Sequence, residues 1–240
     1  MCTVTFIPSN GSWYITSSRD ENAARAKALA PALYEQDGLV LLYPKDTAAY
    51  GSWIALTQTG NAAVLLNGAF IKHKPTAPYR KSRGLIFLDI IAHPQPENYF
   101  AEIELDNIEP FTLVLFVSKC LYECRWDGCK KYLLQLDETT QHIWSSATLY
   151  TTEIINKRKK WFTLWLAASD IATQSSIFNF HRFAGDGDTG NSVMMNRGGE
   201  MLTVSITGIE LSNDKATMQH CDVQDGTIHS KTVSFEPVFI

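Results

Sequence analysis

The sequence predicts an α+β fold, and two observations carry the prediction. Hairpin-forming strands and helices fall in segregated runs, without the βαβ alternation that builds a parallel sheet. Asn-Gly and Asp-Gly pairs punctuate the β-rich runs, and such pairs favour tight antiparallel turns. The order is strands, two helices, strands, one long helix, then strands. Helices outside two stacked antiparallel sheets, a four-layer αββα sandwich, accommodate that order. At 240 residues the chain is long enough for a sizeable core, and residues 1–240 are read as a single domain.

Met1 to Ile7 reads as a strand, Pro8 to Ser12 as a turn, and Trp13 to Ser18 as the returning strand. With Asn10 and Gly11 as the two turn residues, Thr3 faces Ser18 and Cys2 faces Arg19. Arg19-Asp20-Glu21-Asn22 then precedes an Ala-rich piece, Ala23 to Leu29, read as a short helix that Pro31 ends. Residues 30–50 read as irregular around a brief extended run, Leu39 to Tyr43. A second strand pair covers Gly51 to Leu56 and Ala62 to Asn67; the latter is apolar throughout before Asn67, which predicts burial on both faces. Asn67-Gly68 is either a plain turn or an amide set at a sheet edge and aimed at a pocket.

Residues 69–80 form a basic, proline-containing loop, with Lys81 directly after it, suited to bordering a cleft. Ser82 caps a helix running to Ile91, and a second helix covers Glu97 to Leu105. Phe111 to Val117 is a strand, and Leu121 to Trp126 with Cys129 to Leu136 form a hairpin about Asp127-Gly128. Gln141 to Ser146 is a short strand, and Thr152 to Ile171 a long helix. Phe178 to Gly190 reads as a polar loop with His181 and Arg182 on its surface. Its Gly185-Asp186-Gly187-Asp188 lacks the further ligands of a calcium loop and is read as a turn. The remainder is β: Ser192–Asn196, Met201–Ile209, Ala216–Val223 and Val233–Phe239.

A net charge of −4 argues against a nucleic-acid surface, and the basic run Lys157 to Lys160 is read as a solvated helix face. No run of eighteen apolar residues is present, so no membrane span is expected. The start lacks the charged and apolar regions of a signal peptide. Five unevenly spaced cysteines fit a reducing cytoplasm, and Cys120, Cys124 and Cys129, about the Asp127-Gly128 turn and without C-x₂-C pairs, read as structural thiols and no metal site. No cofactor is expected.

The candidate nucleophile is Cys2. Removal of the initiator Met leaves a thiol and a free α-amino group on one residue. That amine titrates at about 7.7–8.0 and can act as general base for its own side chain. Arg19 opposite would favour the thiolate. The competing reading is an ordinary buried cysteine at a strand start.

Met1-Cys2, Ser18-Arg19-Asp20-Glu21-Asn22, Gly51-Ser52-Trp53-Ile54 and Val64-Leu65-Leu66-Asn67-Gly68 together resemble the NRDE family, the transport and Golgi organisation protein 2-like proteins. Ser18 replaces the Asn of the Asn-Arg-Asp-Glu motif. That family in turn resembles N-terminal-nucleophile (Ntn) hydrolases of the bile salt hydrolase and penicillin V acylase type, which cleave linear amides with Cys on an αββα sandwich. The resemblance implies Cys2 as nucleophile and Arg19 as the arginine beside it. Asp20 matches the aspartate that holds the amino terminus, with Glu21 or Asn22 as alternatives, and Asn67 the oxyanion-hole amide. Ser146 stands where a second active-site Asn is usual, and Arg197 matches a late arginine. The implied reaction is acyl transfer from a small acyl substrate to water through a Cys2 acyl-enzyme. The rival reading is a non-catalytic haem or lipid binding and trafficking protein on the same scaffold; haem would need an axial ligand such as His73, His93 or His181 beside an apolar cleft.

Overall fold

The structure, a computed structural model, describes residues 3–168 and 171–235. Its first hairpin forms as the Asn10-Gly11 pair requires. Both residues take positive φ, 50° and 74°, the combination a type I′ turn needs. Strand β1 (Thr3–Ser9) therefore pairs with β2 (Ser12–Asn22) in the expected register, Thr3 opposite Ser18.

Strand β2 runs on through Asn22, where a helix was expected to be capped, and pairs with β12 (Met201–Leu211) up to Asn22–Met201. No helix follows over 23–29. The alanines there form a turn and an extended lead into β3 (Leu29–Gln36), which pairs with β4 (Leu39–Lys45). Helix propensity is a weak prior. Here it loses to the Asn22 side chain, which caps the turn by accepting from the Ala24 N–H, and to Arg25, which is drawn into an ion pair with Asp46.

Strands β3, β4, β5 (Ile54–Thr57), β6 (Ala62–Asn67), β7 (Phe111–Val117), β8 (Cys120–Trp126) and β9 (Lys131–Leu136) form one antiparallel meander. The other sheet runs β10 (His142–Ser145), β1, β2, β12, β13 (Lys215–Asp222), β14 (Ile228–Ser234), with the short β11 (Asn196–Arg197) on β12. Val4, Phe6, Ile15, Ile54, Val64, Phe116 and Ile209 fill the space between the sheets. Helices α1 (Arg83–Ile91) and α2 (Pro96–Glu102) cover the meander. Helices α3 (Thr152–Ala167) and α4 (Gln174–Phe183) cover the second sheet through Phe162, Ile177 and Phe180 against Ile7 and Tyr14. The layers are helix, sheet, sheet, helix. Among the described residues no helix is long and apolar enough to cross a membrane.

Helix α4 occupies part of the stretch expected to be a loop. Thr173 accepts from the Ser176 N–H while the Ser176 hydroxyl accepts from the Thr173 N–H, a reciprocal cap. The helix carries His181 into the interior, where it is fully buried, so the expectation of a surface histidine is wrong. The last described strand covers Ile228–Ser234, so only the start of the strand expected at 233–239 is tested, and residues 236–240 lie outside the described residues.

Candidate functional site

Strand alternation sends Arg19 and Asp20 to opposite faces of β2. Arg19 faces between the sheets, where its guanidinium lies 4.7 Å from the centre of the Trp53 ring. It donates to Asp46 at 2.7 Å and to Glu21 at 3.3 Å. Burial pulls its pKa below the usual arginine value, and the two carboxylates oppose that. Burial alone would raise the Asp46 carboxyl. Hydrogen bonds from Arg25 and the Ala49 N–H, with both arginine charges, outweigh it and hold Asp46 at about 2 instead of 3.8. Opposite Arg19 on β12 the register slips by one residue between Thr203 and Ser205. Such bulges re-aim side chains beside sites.

These groups wall a cleft of about 400 Å³. Asn67, at the end of β6, lines it together with Trp53, Tyr79, Lys81 and Arg83. The loop expected to border a cleft does so through Tyr79, with Lys81 just beyond it. The cations are committed: Lys81 pairs with Asp89, and Arg83 reaches Glu109 at 2.9 Å, which also contacts His73 at 3.1 Å. The Asn67 carboxamide has no hydrogen bond to the described residues, and the buried Trp53 indole N–H has no partner among them. Gly51 and Gly84 let the cleft wall close. A Cβ on Gly51 would sit 2.5 Å from the Gly84 carbonyl carbon.

Ser146 lies behind Asn67. Its hydroxyl donates to the Asn67 carbonyl at 2.8 Å and contacts the Thr148 hydroxyl, so it braces the β6 turn. Asp20 points the other way. Its carboxylate accepts from the Tyr150 and Thr203 hydroxyls, each at 2.5 Å. Tyr150 is a hub between two guanidinium groups, Arg158 at 3.6 Å and Arg197 at 5.4 Å from its ring centre. Arg197 donates to the Gly190 and Leu149 carbonyls. Arg158 is fully buried with no carboxylate partner among the described residues, and donates to the Thr3 hydroxyl and to the carbonyls of Asn191 and Ser192.

Of the expected site residues, Arg19 and Asn67 share the cleft, Ser146 supports Asn67, and Asp20 and Arg197 meet at Tyr150. Cys2 lies outside the described residues. Thr3 follows it in the chain, and its partners Ser18 and Ser145 are each followed by an expected site residue, Arg19 and Ser146. Asp46, Tyr150 and Arg158 were not singled out from sequence, and Trp53 entered only within the Gly51-Ser52-Trp53-Ile54 motif, without a site role.

The expected haem ligands do not fit that role. His181 is buried with one ring nitrogen bonded to Thr5 and the other to Ser18, at 2.9 and 2.7 Å. His93 stacks on Tyr99, and His73 is bound to Glu109. An apolar cleft between α3 and α4 is lined by Trp161, Leu164, Trp165, Phe180 and Phe183 with Asn179, Ala184 and Gly185, and offers no axial ligand.

Over residues 1–215 the sequence matches the Transport and Golgi organisation 2 family. The chain belongs to that family. No protein of curated function matches it in sequence. Solved structures match this family member in fold. A variant of the conjugated bile acid hydrolase from Clostridium perfringens aligns with a TM-score of 0.58 at 8% identity, covering 99% of this chain and 97% of that one. A second variant of the same hydrolase gives 0.56 at 10% identity over 98% and 97%. An N-acylethanolamine-hydrolyzing acid amidase orthologue from Caenorhabditis elegans gives 0.56 at 8% over 87% and 92%. The chain thus has an Ntn-hydrolase-like sandwich.

Proposed function

We propose that the chain binds and hands on a small acyl or lipid-like molecule, with its polar end seated in the cleft beside Arg19. The observation that carries this reading is the Asn67 carboxamide, which lines the cleft without a hydrogen bond to the described residues, in a wall whose charges otherwise satisfy one another. An amide on the cleft wall with no protein partner is open to a ligand oxygen, a bond that contributes about 0.5–1.5 kcal/mol. The family description, transport and Golgi organisation, agrees with a carrier. The environments of His73, His93 and His181 do not favour haem as the cargo.

A second reading, hydrolysis, is favoured by the strand register at Thr3 together with the hydrolases of like fold. In it the Cys2 thiolate attacks an amide or thioester carbonyl, and the α-amino group of Cys2 carries the proton to the leaving group. The Asn67 N–H and a backbone N–H stabilise the oxyanion, and water then cleaves the acyl-enzyme. Asp20 would hold the amine and Arg19 support the thiolate.

An acyl library assayed with native mass spectrometry separates the two. A carrier retains intact ligand in wild type and in Cys2→Ala alike, and loses it in Asn67→Ala. A hydrolase releases product from wild type and traps intact substrate in Cys2→Ala. No retained ligand and no product would refute both.

A further inference from the structure

The basic run on α3 is not a uniformly solvated face. Arg158 is fully buried, whereas Lys157 and Lys160 lie on the same side of the helix as Trp161, Leu164 and Trp165, at spacings of three and four residues. Across from them α4 presents Phe180 and Phe183, and the two helices enclose an open apolar cleft of about 410 Å³. Leu164 is 58% exposed and Phe183 76%, with Ile171, ahead of α4, at 55%. Large exposed apolar side chains in one patch mark an interaction surface.

We propose that this face docks on an anionic lipid bilayer. The occupant is argued from charge. On a chain of net charge −4, lysines are gathered at one end of the apolar patch. Lys160 has no ion pair among the described residues, and Lys157 has only a long contact, 3.5 Å, to Asp186. Exposed Leu and Phe with Trp at the edge and lysine stems beside them is the pattern of a helix lying in the headgroup layer, apolar side down and ammonium groups reaching up to lipid phosphates. Asp186 sits at the rim 3.5 Å from Lys157, and Asp188 also faces Lys157, so Lys157 must leave these carboxylates to reach lipid phosphates, whereas Lys160 has no ion pair among the described residues. The face lies on the helical layer of the second sheet. The Arg19 cleft is lined by other elements and stays open. This inference is independent of whether that cleft carries or cleaves its ligand.

Vesicle co-sedimentation of the full chain tests it. Wild type is expected to bind phosphatidylcholine vesicles containing about one-third phosphatidylserine roughly ten-fold better than pure phosphatidylcholine, and to release as salt rises. The pair Lys157→Glu and Lys160→Glu should lose roughly ten-fold or more, as should Leu164→Ser with Phe183→Ser. Circular dichroism and melting temperature report the fold of each variant, and should one pair fail to fold the other decides. Equal binding to both vesicle types, no binding to either, or unchanged binding by a folded variant overturns the proposal. So does a wild-type dimer that Leu164→Ser and Phe183→Ser convert to monomer without vesicle binding, because the face then belongs to a second copy.

Discussion

Replacing Asp46 by Asn removes the charge that holds two arginines at the cleft. Asp46 accepts from Arg19 at 2.7 Å and from Arg25 at 2.9 and 3.0 Å, and its Oδ1 also accepts from the Ala48 and Ala49 N–H groups. The Asn carbonyl can keep the backbone bonds, so the turn after β4 survives. What is lost is the counter-charge for Arg19, which is only 5% exposed. Breaking a buried pair from one side typically costs about 3–5 kcal/mol. Glu21 remains 3.3 Å from the guanidinium, so the expected cost is about 2–3 kcal/mol. In a chain of this size that lowers the melting temperature by about 4–12 °C. Acid titration gives a second reading of the same interaction. A folded carboxyl near 2 against 3.8 unfolded is linked to about 2.4 kcal/mol at most, and screening at the cleft mouth brings this to about 1 kcal/mol. A depressed carboxyl contributes above its unfolded pKa and loses its contribution as pH falls through the folded value. The loss therefore belongs between about pH 4 and pH 2 and should be missing in Asp46→Asn. Urea unfolding at several pH values measures both effects. A change below about 0.5 kcal/mol at neutral pH would show that solvent, not Asp46, compensates Arg19, and the account of the cleft would fail.

His181 is pushed by burial, and then by the Arg158 charge, to about 3, and His220 by burial to about 4, both from 6.5. A base held neutral costs stability as pH falls below its unfolded value, so each histidine should remove up to about 1.4 kcal/mol per pH unit between pH 6.5 and its folded pKa; His220→Gln should flatten the profile measured by denaturant melts. Gly51→Ala drives a Cβ into backbone atoms of Gly84, which no rotamer relieves. It should cost about 1–3 kcal/mol and reduce ligand retention at the cleft, both read in one thermal-shift experiment. Tyr150→Phe keeps the ring between Arg158 and Arg197 but removes the hydroxyl bonded to Asp20. It should cost about 1–3 kcal/mol, and Tyr150→Leu more because the ring contacts go as well; equal values would mean that the arginines gain nothing from the ring.

What the sequence makes legible is local. Asn10-Gly11 sets the register of the first hairpin because only certain residues tolerate positive φ, and the apolar run before Asn67 marks a strand sealed on both faces. Strand β3 escapes because Pro31 and polar alternation look irregular, although Asp37-Gly38, with φ of 51° and 80°, carries the same hairpin signal as Asn10-Gly11. Helix α4 escapes because its reciprocal cap uses Ser176 where Glu or Gln is the usual cue; Ile177, Phe180 and His181 nonetheless recur at helical spacing on its buried side. The cleft is harder. Arg19 with Asn67 was legible from resemblance, but Asp46 and Trp53 enter through the packing of one sheet on the other, which no spacing in the chain encodes. Arg158 hides among lysines, and only its place four residues before the buried Phe162 sets it apart.

The two surfaces should answer differently to salt. At the cleft every lining cation already has a carboxylate: Arg19 and Arg25 share Asp46, Lys81 has Asp89, and Arg83 has Glu109. An anionic ligand would have to displace one of these, and each displacement leaves a poorly solvated carboxylate behind. The donor that remains, the Asn67 amide, is neutral and suits an uncharged carbonyl oxygen. Ligand retention there should change less than about two-fold as ionic strength rises from about 0.05 to 0.5 M, a range over which the Debye length shrinks several-fold. The α3 face relies on Lys157 and Lys160 reaching anionic headgroups, so vesicle binding should fall steeply over the same range. Isothermal titration of an acyl ligand beside vesicle sedimentation, both at graded salt, compares them directly. A cleft ligand lost as steeply as the vesicles would mean that Arg19 is released from Asp46 on binding, and that the recognised group is an anion.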